Sequence, residues 1–289
     1  MLYVFLSICC SVIVSILLKL AKRYQIDIFQ AITWNYSIAI VLTWIFLKPQ
    51  LHNLHASPIY TYTALGILLP LLFVILALSI KYNGIVRTDV AERLSLFIPI
   101  VAAFLLFGEQ LSTIKIIGIS IGIAAILCSI PWKIKQSPNK KTATNAWLYL
   151  FVVFIGMGII DVLLKKVSQF KGMSFTSSLF MVYVIAFVLS LVLLAYRFGA
   201  KKSKFSWPHI VFGWILGIAN FGNILFYLKA HQSLAKSPST VFSAMNIGVI
   251  ALGAVVGLVV FKEKLSIVNK LGIGLAIIAI VVISYANIF

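Results

Sequence analysis

The chain has 289 residues, of which 62% are hydrophobic and only 10% charged, with a mean hydropathy of +1.09. A soluble domain carries about 25% charged residues, so a water-facing surface is excluded and a lipid-facing one is required. The net charge of +18 would suggest a nucleic-acid surface in a soluble protein. Here the basic residues gather at the ends of apolar runs, where they set orientation and meet anionic lipid headgroups, so nucleic acid is not expected as a partner.

At about 20 residues per crossing, ten apolar runs read as transmembrane spans. In chain order they are Leu2–Leu18, Phe29–Leu47, Tyr62–Ile80, Val90–Phe107 and Ile114–Ile130, then Trp147–Leu164, Phe175–Tyr196, Ile210–Leu228, Val241–Phe261 and Ile267–Ile288. Span 1 has no basic residues before it and ends at Lys19 rather than at a small-residue cleavage site. It reads as a retained helix, not a signal peptide. Between spans 5 and 6 lies the least apolar stretch, residues 131–145, which holds Lys133, Lys135, Lys140 and Lys141. It divides the chain into a first five-span unit, 1–130, and a second, 146–289.

The two units repeat one another. Span 1 ends Ser15-Ile-Leu-Leu-Lys19 and span 6 ends Asp161-Val-Leu-Leu-Lys165. Span 4 leads into Phe107-Gly-Glu-Gln-Leu-Ser112 and span 9 into Phe261-Lys-Glu-Lys-Leu-Ser266, with Gly118 and Gly272 six residues after each serine. Because five is odd, the second unit must enter the membrane from the opposite side. In transporters built from such inverted repeats the substrate site lies near the midplane, between the copies.

These residues resemble the drug/metabolite transporter superfamily, and within it the EamA-type ten-helix exporters, in the glutamate-x-leucine-serine turn, its copy, and the glycine that follows. The resemblance spans nearly the whole chain. It implies an all-α membrane protein of two inverted five-helix repeats around a central cavity, in the bacterial cytoplasmic membrane. It also implies alternating access and a cargo of amino acids, other metabolites or drugs. Spans 3, 4, 8 and 9 with parts of 1, 2, 6 and 7 would surround the cavity, and spans 5 and 10 would lie outside it. The family usually keeps both termini in the cytoplasm. The bias of Lys and Arg toward the 1–2, 3–4, 5–6, 7–8 and 9–10 loops would instead place both termini outside.

An ionisable group at membrane depth costs about 2.5–3.5 kcal/mol on insertion scales and needs a partner, water or a function. At the start of span 4, Asp89 and Arg93 are spaced i,i+4 and can pair. Glu92 and Arg93 are either a hydrated helix end or the mouth of the cavity, where they bind cargo or carry a proton. The matching region of span 9 is uncharged, with Ser239, Thr240, Ser243 and Asn246, so the cavity would be electrically asymmetric. Asp161 and Lys165 are also i,i+4, which suggests self-neutralisation. Asp161 is the second candidate, with Glu92, for ion coupling. Lys19 faces Ser15 instead of an acid. It either snorkels to the headgroups or binds an anionic part of the cargo.

Asn220, Asn223 and Tyr227 recur at helical spacing in span 8, as cavity lining or as interhelical glue. Trp34 and Asn35 in span 2 are similar candidates. Glu109 and Glu263 read as structural residues of solvent-reachable turns, with Ser112 and Ser266 as N-caps of the following helices. Gly118-xxx-Gly122, Gly213-xxx-Gly217 and Gly253-xxx-Gly257 have the small-xxx-small spacing of close helix contacts.

Cys9, Cys10 and Cys128 lie in apolar runs without metal or disulfide spacing. There is no P-loop or zincin spacing. The expectation is therefore a secondary transporter of a small polar molecule, with no cofactor or metal, acting as a monomer or homodimer in the bilayer and not as an enzyme. The alternatives are a membrane-embedded enzyme acting on lipid and a non-transporting receptor or scaffold.

Overall fold

A peptide backbone in hydrocarbon has no water to bond with, so an isolated apolar run satisfies its own N–H and C=O groups only as a helix. The computed structural model describes all residues except 51–58, 84, 111, 130–145, 171–173, 201–203, 260–266 and 286–289. The basic linker and the Glu263–Ser266 turn thus lie outside the described residues. Among the described residues every regular element is α-helical: α1 (Leu2–Arg23), α2 (Ile28–Leu47), α3 (Ile59–Asn83), α4 (Ile85–Leu94), α5 (Phe97–Leu105), α6 (Thr113–Ser129), α7 (Ala146–Gln169), α8 (Phe175–Gly199), α9 (Trp207–Ser233), α10 (Pro238–Val259) and α11 (Ile267–Tyr285). Six of them, α2, α3, α7, α8, α9 and α10, are long and apolar enough to cross a bilayer, and α1, α6 and α11 contain shorter apolar stretches. The chain is a multi-pass membrane protein, all-α among the described residues.

The expected span Val90–Phe107 is not one helix but two, α4 and α5, and the residues between them explain the break. Pro99 has no N–H to give to the Ser95 carbonyl four residues back, and its ring would clash there. That carbonyl instead accepts from the Ile98 N–H at 3.0 Å. The Ser95 hydroxyl folds back onto the Glu92 carbonyl at 2.6 Å, a local bond that competes with the helix ladder.

The helices pack in a patterned way. α1 lies against α9 and α10, while α7 lies against α3 and the α4–α5 pair. α2 lies against α9, while α8 lies against α3, and α2 and α8 touch each other. α6 and α11 form a close pair to one side.

Glycine makes two of these approaches possible. A Cβ at Gly217 would sit 2.5 Å from the Asn35 carbonyl oxygen, and one at Gly213 would sit 2.8 Å from that of Ala31. These distances let the α9 backbone lie directly on α2, as the spacing suggested. On α6, a Cβ at Gly118 would meet the Ile283 side chain of α11 at 2.6 Å. Gly253 differs, because a Cβ there would meet nothing within 4 Å.

Gly217→Ala should therefore force α2 and α9 apart and lower stability by about 1–3 kcal/mol, the usual cost of overpacking. Gly253→Ala should be neutral or slightly stabilising. Thermal unfolding of the two purified variants in detergent checks the pair.

Candidate functional site

Where the two halves of the chain meet, the helices leave a cavity of about 230 Å³. Its lining comes from α1, α3, α4, α7, α9 and α10. Among the described residues none comes from α6 or α11, as the resemblance implied. None comes from α2 or α8 either, although parts of spans 2 and 7 were expected there. Leucine, phenylalanine, isoleucine and methionine side chains form much of the wall, with Leu72, Phe73 and Met157 among them. The polar groups come from α1, α4, α7, α9 and α10, with Ser95 from the turn between α4 and α5.

Among the described residues three charged side chains reach the cavity: Glu92 and Arg93 on α4 and Asp161 on α7. The first two were expected at the mouth and Asp161 as a coupling residue. Asp161 does not pair with Lys165. Its Oδ1 accepts from the Tyr227 phenol at 2.9 Å, and Lys165 reaches away to donate to the carbonyls of His231 (3.3 Å) and Ala235 (3.2 Å). The expected self-neutralising pair is thus replaced by two partners on the far side of the helix interface. A phenol supplies a donor without a second desolvated charge. The carbonyls of the α9–α10 turn are helix-end acceptors that would otherwise lack donors.

The polar face of α9 is the most organised wall. Asn220 donates through Nδ2 to Asn35 Oδ1 at 3.2 Å. Asn223 accepts at both its backbone carbonyl (2.9 Å) and Oδ1 (2.8 Å) from the Ser7 hydroxyl of α1. Tyr227 holds Asp161. All three α9 side chains also line the cavity, so they serve at once as lining and as interhelical bonds. Asn246 of α10 lines the cavity too, and its amide nitrogen donates to the Phe242 carbonyl one turn back at 3.1 Å.

The remaining candidates stand elsewhere. Asn35 sits one layer behind Asn220. Trp34 lies at the α2–α9 crossing, against the Gly213 notch, with its indole N–H buried and without a hydrogen-bond partner. Ser243 is buried off the lining, its hydroxyl also without a partner. The side chains of Lys19 and Asp89 lie outside the described residues. Sequence reading missed the serines of α1. Ser7 bonds Asn223, while Ser11 and Ser15 line the cavity. Their i,i+4 recurrence in an otherwise apolar helix was the signal.

Glu109 overturns an expectation. It is not in solvent reach but 8% exposed, lodged under the start of α10. Its Oε1 accepts from Lys115 Nζ at 2.9 Å and from the Ser239 hydroxyl at 2.7 Å, and its Oε2 accepts from the Ser239 N–H at 2.8 Å. The first N–H groups of a helix have no intrahelical acceptors and attract negative charge. This explains why a turn carboxylate is drawn into the structure here. Ser112 stands at the N-cap position of α6, where its carbonyl accepts from the Ile116 N–H at 3.1 Å.

Replacing Tyr227 by Phe removes the phenol donor but keeps the ring, leaving the Asp161 carboxylate without its protein partner. The expected loss is about 1–3 kcal/mol of stability, visible as a lower thermal-unfolding midpoint. An unchanged midpoint would mean that water replaces the phenol at no cost.

Comparison with known proteins places these features in context. The model of the EamA-like transporter family matches residues 144–285. A protein of Haemophilus influenzae described as uncharacterized is 42% identical over 292 residues, covering 97% of each chain. A protein of known crystal structure aligns with a TM-score of 0.76 over 99% of this chain and 96% of its own, at 12% identity. That last likeness is one of fold.

Proposed function

Because the chain belongs to the EamA-like transporter family, we propose that it is a secondary transporter, working by alternating access as an exporter of a small polar metabolite such as an amino acid, or of drugs. The observation that carries this reading is the cavity between the two halves, whose described lining bears two carboxylates, one guanidinium and three amides drawn from four helices, α4, α7, α9 and α10. Such a site can hold a cargo's cationic group at Asp161 or Glu92 and its anionic group at Arg93. The carboxamides of Asn220, Asn223 and Asn246 would orient the rest.

Ten spans in two inverted repeats fit both sequence and packing. α4 and α5 together supply the fourth span. The contacts of α1 with α9 and α10 correspond to those of α7 with α3 and the α4–α5 pair, and the α2–α9 contact corresponds to α8–α3. The pairs α2–α8, α6–α11 and α5–α10 each join a span to its own counterpart. A pseudo-two-fold axis in the membrane plane accounts for this pattern. The bacterial inner membrane is the matching location. In this reading Glu92 and Asp161 are the groups that would carry a coupled proton or cation.

Reconstituted into liposomes preloaded with unlabelled amino acids or cationic drugs, the protein should catalyse counterflow of the labelled compound without altering it chemically. Glu92→Gln keeps size and hydrogen bonding but removes the titratable charge. It should lower the rate by about tenfold, the scale of one charge-assisted bond, and flatten its pH dependence. Chemical turnover of a lipid in detergent, with no counterflow, would replace this reading by an enzymatic one.

A further inference from the structure

The cavity is not equally closed at its two ends. At the end carrying the α5–α6 and α9–α10 turns, the lining stops at Leu164 of α7, Tyr227 of α9 and Met245 of α10. Just past these residues toward that end stand Lys165, His231 and Phe242, each with no exposed surface. The His231 ring is wedged between those of Tyr227 and Phe242, at centroid distances of 4.6 and 4.7 Å. Lys165 and Gln169 of α7 both donate to the Ala235 carbonyl in the α9–α10 turn. Beyond this layer lies the Glu109 cluster. Toward the opposite end the lining reaches Ser15, Leu18 and Leu76, none of them buried.

The Glu109 cluster is an unusual tie. One carboxylate from the first half of the chain caps a helix of the second half, across 130 positions of sequence. Lys115 completes it by donating to Ser237 Oγ at 3.3 Å, just before α10 begins. α10 carries the cavity residues Met245, Asn246 and Val249, so whatever fixes its start also fixes that wall.

The energetics suit a contact that opens and closes. Burying a carboxylate and an ammonium carries a large desolvation cost, which their attraction and the added hydrogen bonds only roughly offset. At a helix end near the membrane surface both groups can be hydrated when separated. An apolar seal of the same size would have no comparable way to be satisfied when open.

On this basis, and resting on the transporter reading above, we propose that Glu109 and Lys115 are the latch of a gate. Their contact with the start of α10 holds the cavity shut at this end, and its release lets α10 and α5 part so that the cavity opens there instead.

Accessibility measures this without any cargo. Ser11 lines the cavity, and Ser11→Cys is made in a protein whose Cys9, Cys10 and Cys128 are replaced by alanine. Labelling of the introduced thiol by a membrane-impermeant maleimide is then followed in vesicles of each orientation. With the latch intact, that thiol should react from the end opposite the latch. Glu109→Gln should raise its reactivity from the latch end by about tenfold, the scale of one charge-assisted hydrogen bond, and lower it from the other. Lys115→Met leaves the Glu109 cap on Ser239 in place, and it should shift reactivity in the same direction by a smaller factor. Folding of each variant is checked by thermal unfolding. Unchanged labelling from both faces in the folded variants, whatever their melting temperatures, makes the cluster a static cap and overturns the gate. Failure of the transporter reading shows separately, as absence of counterflow by the unmutated protein.

Discussion

Hydrocarbon offers no water to a polar side chain, so each one placed there must find its partner within the protein. In this chain the demand converges on α9. Asn220, Asn223 and Tyr227 occupy one face of that helix and reach α2, α1 and α7 respectively. The partners are Asn35, Ser7 and Asp161, so α9 is tied to three neighbours by side chains that also look into the cavity. Each such bond contributes only about 0.6–2 kcal/mol in a membrane. Their directional demand nonetheless fixes how the helices are rotated. The cavity wall and the scaffold of the bundle are thus the same set of atoms, and the site cannot be moved without repacking the fold.

The close approach of α9 to α2 follows from the same demand. An asparagine-to-asparagine bond of 3.2 Å requires backbones nearer than bulky side chains allow, and the Gly213–Gly217 notch supplies that room. Trp34 fills the edge of the notch. Its buried indole N–H is without a hydrogen-bond partner, a cost the crossing tolerates for the sake of packing.

Much of this was legible in the sequence, because hydropathy and repeat spacing are local properties. The apolar runs gave the helices, and the recurrence of Asn220, Asn223 and Tyr227 gave the polar face of α9. What was missed depends on contacts distant in sequence or on finer local chemistry. Hydropathy runs smoothly through Ser95–Pro99 and hides the α4–α5 break, which only the missing N–H of proline reveals. The i,i+4 spacing of Asp161 and Lys165 predicts a pair that forms in an isolated helix. Here a phenol from α9 and the carbonyls of a remote turn compete for the two groups and win. Glu109 looked solvent-reachable because nothing near it in sequence announces that the start of α10 lies overhead.

Apart from Lys115, which joins the Glu109 cluster, α6 and α11 stand to one side of the cavity. They pack on each other through small residues and aliphatic side chains, including Gly118 against Ile283, and none of their described residues lines the cavity. Ile117 on α6 and Ile277, Ile278 and Val281 on α11 face outward. Damage to this pair would reduce how much folded protein a cell retains while leaving the surviving molecules with the same preferences among cargoes. Abundance and selectivity are therefore written on different helices and can drift independently.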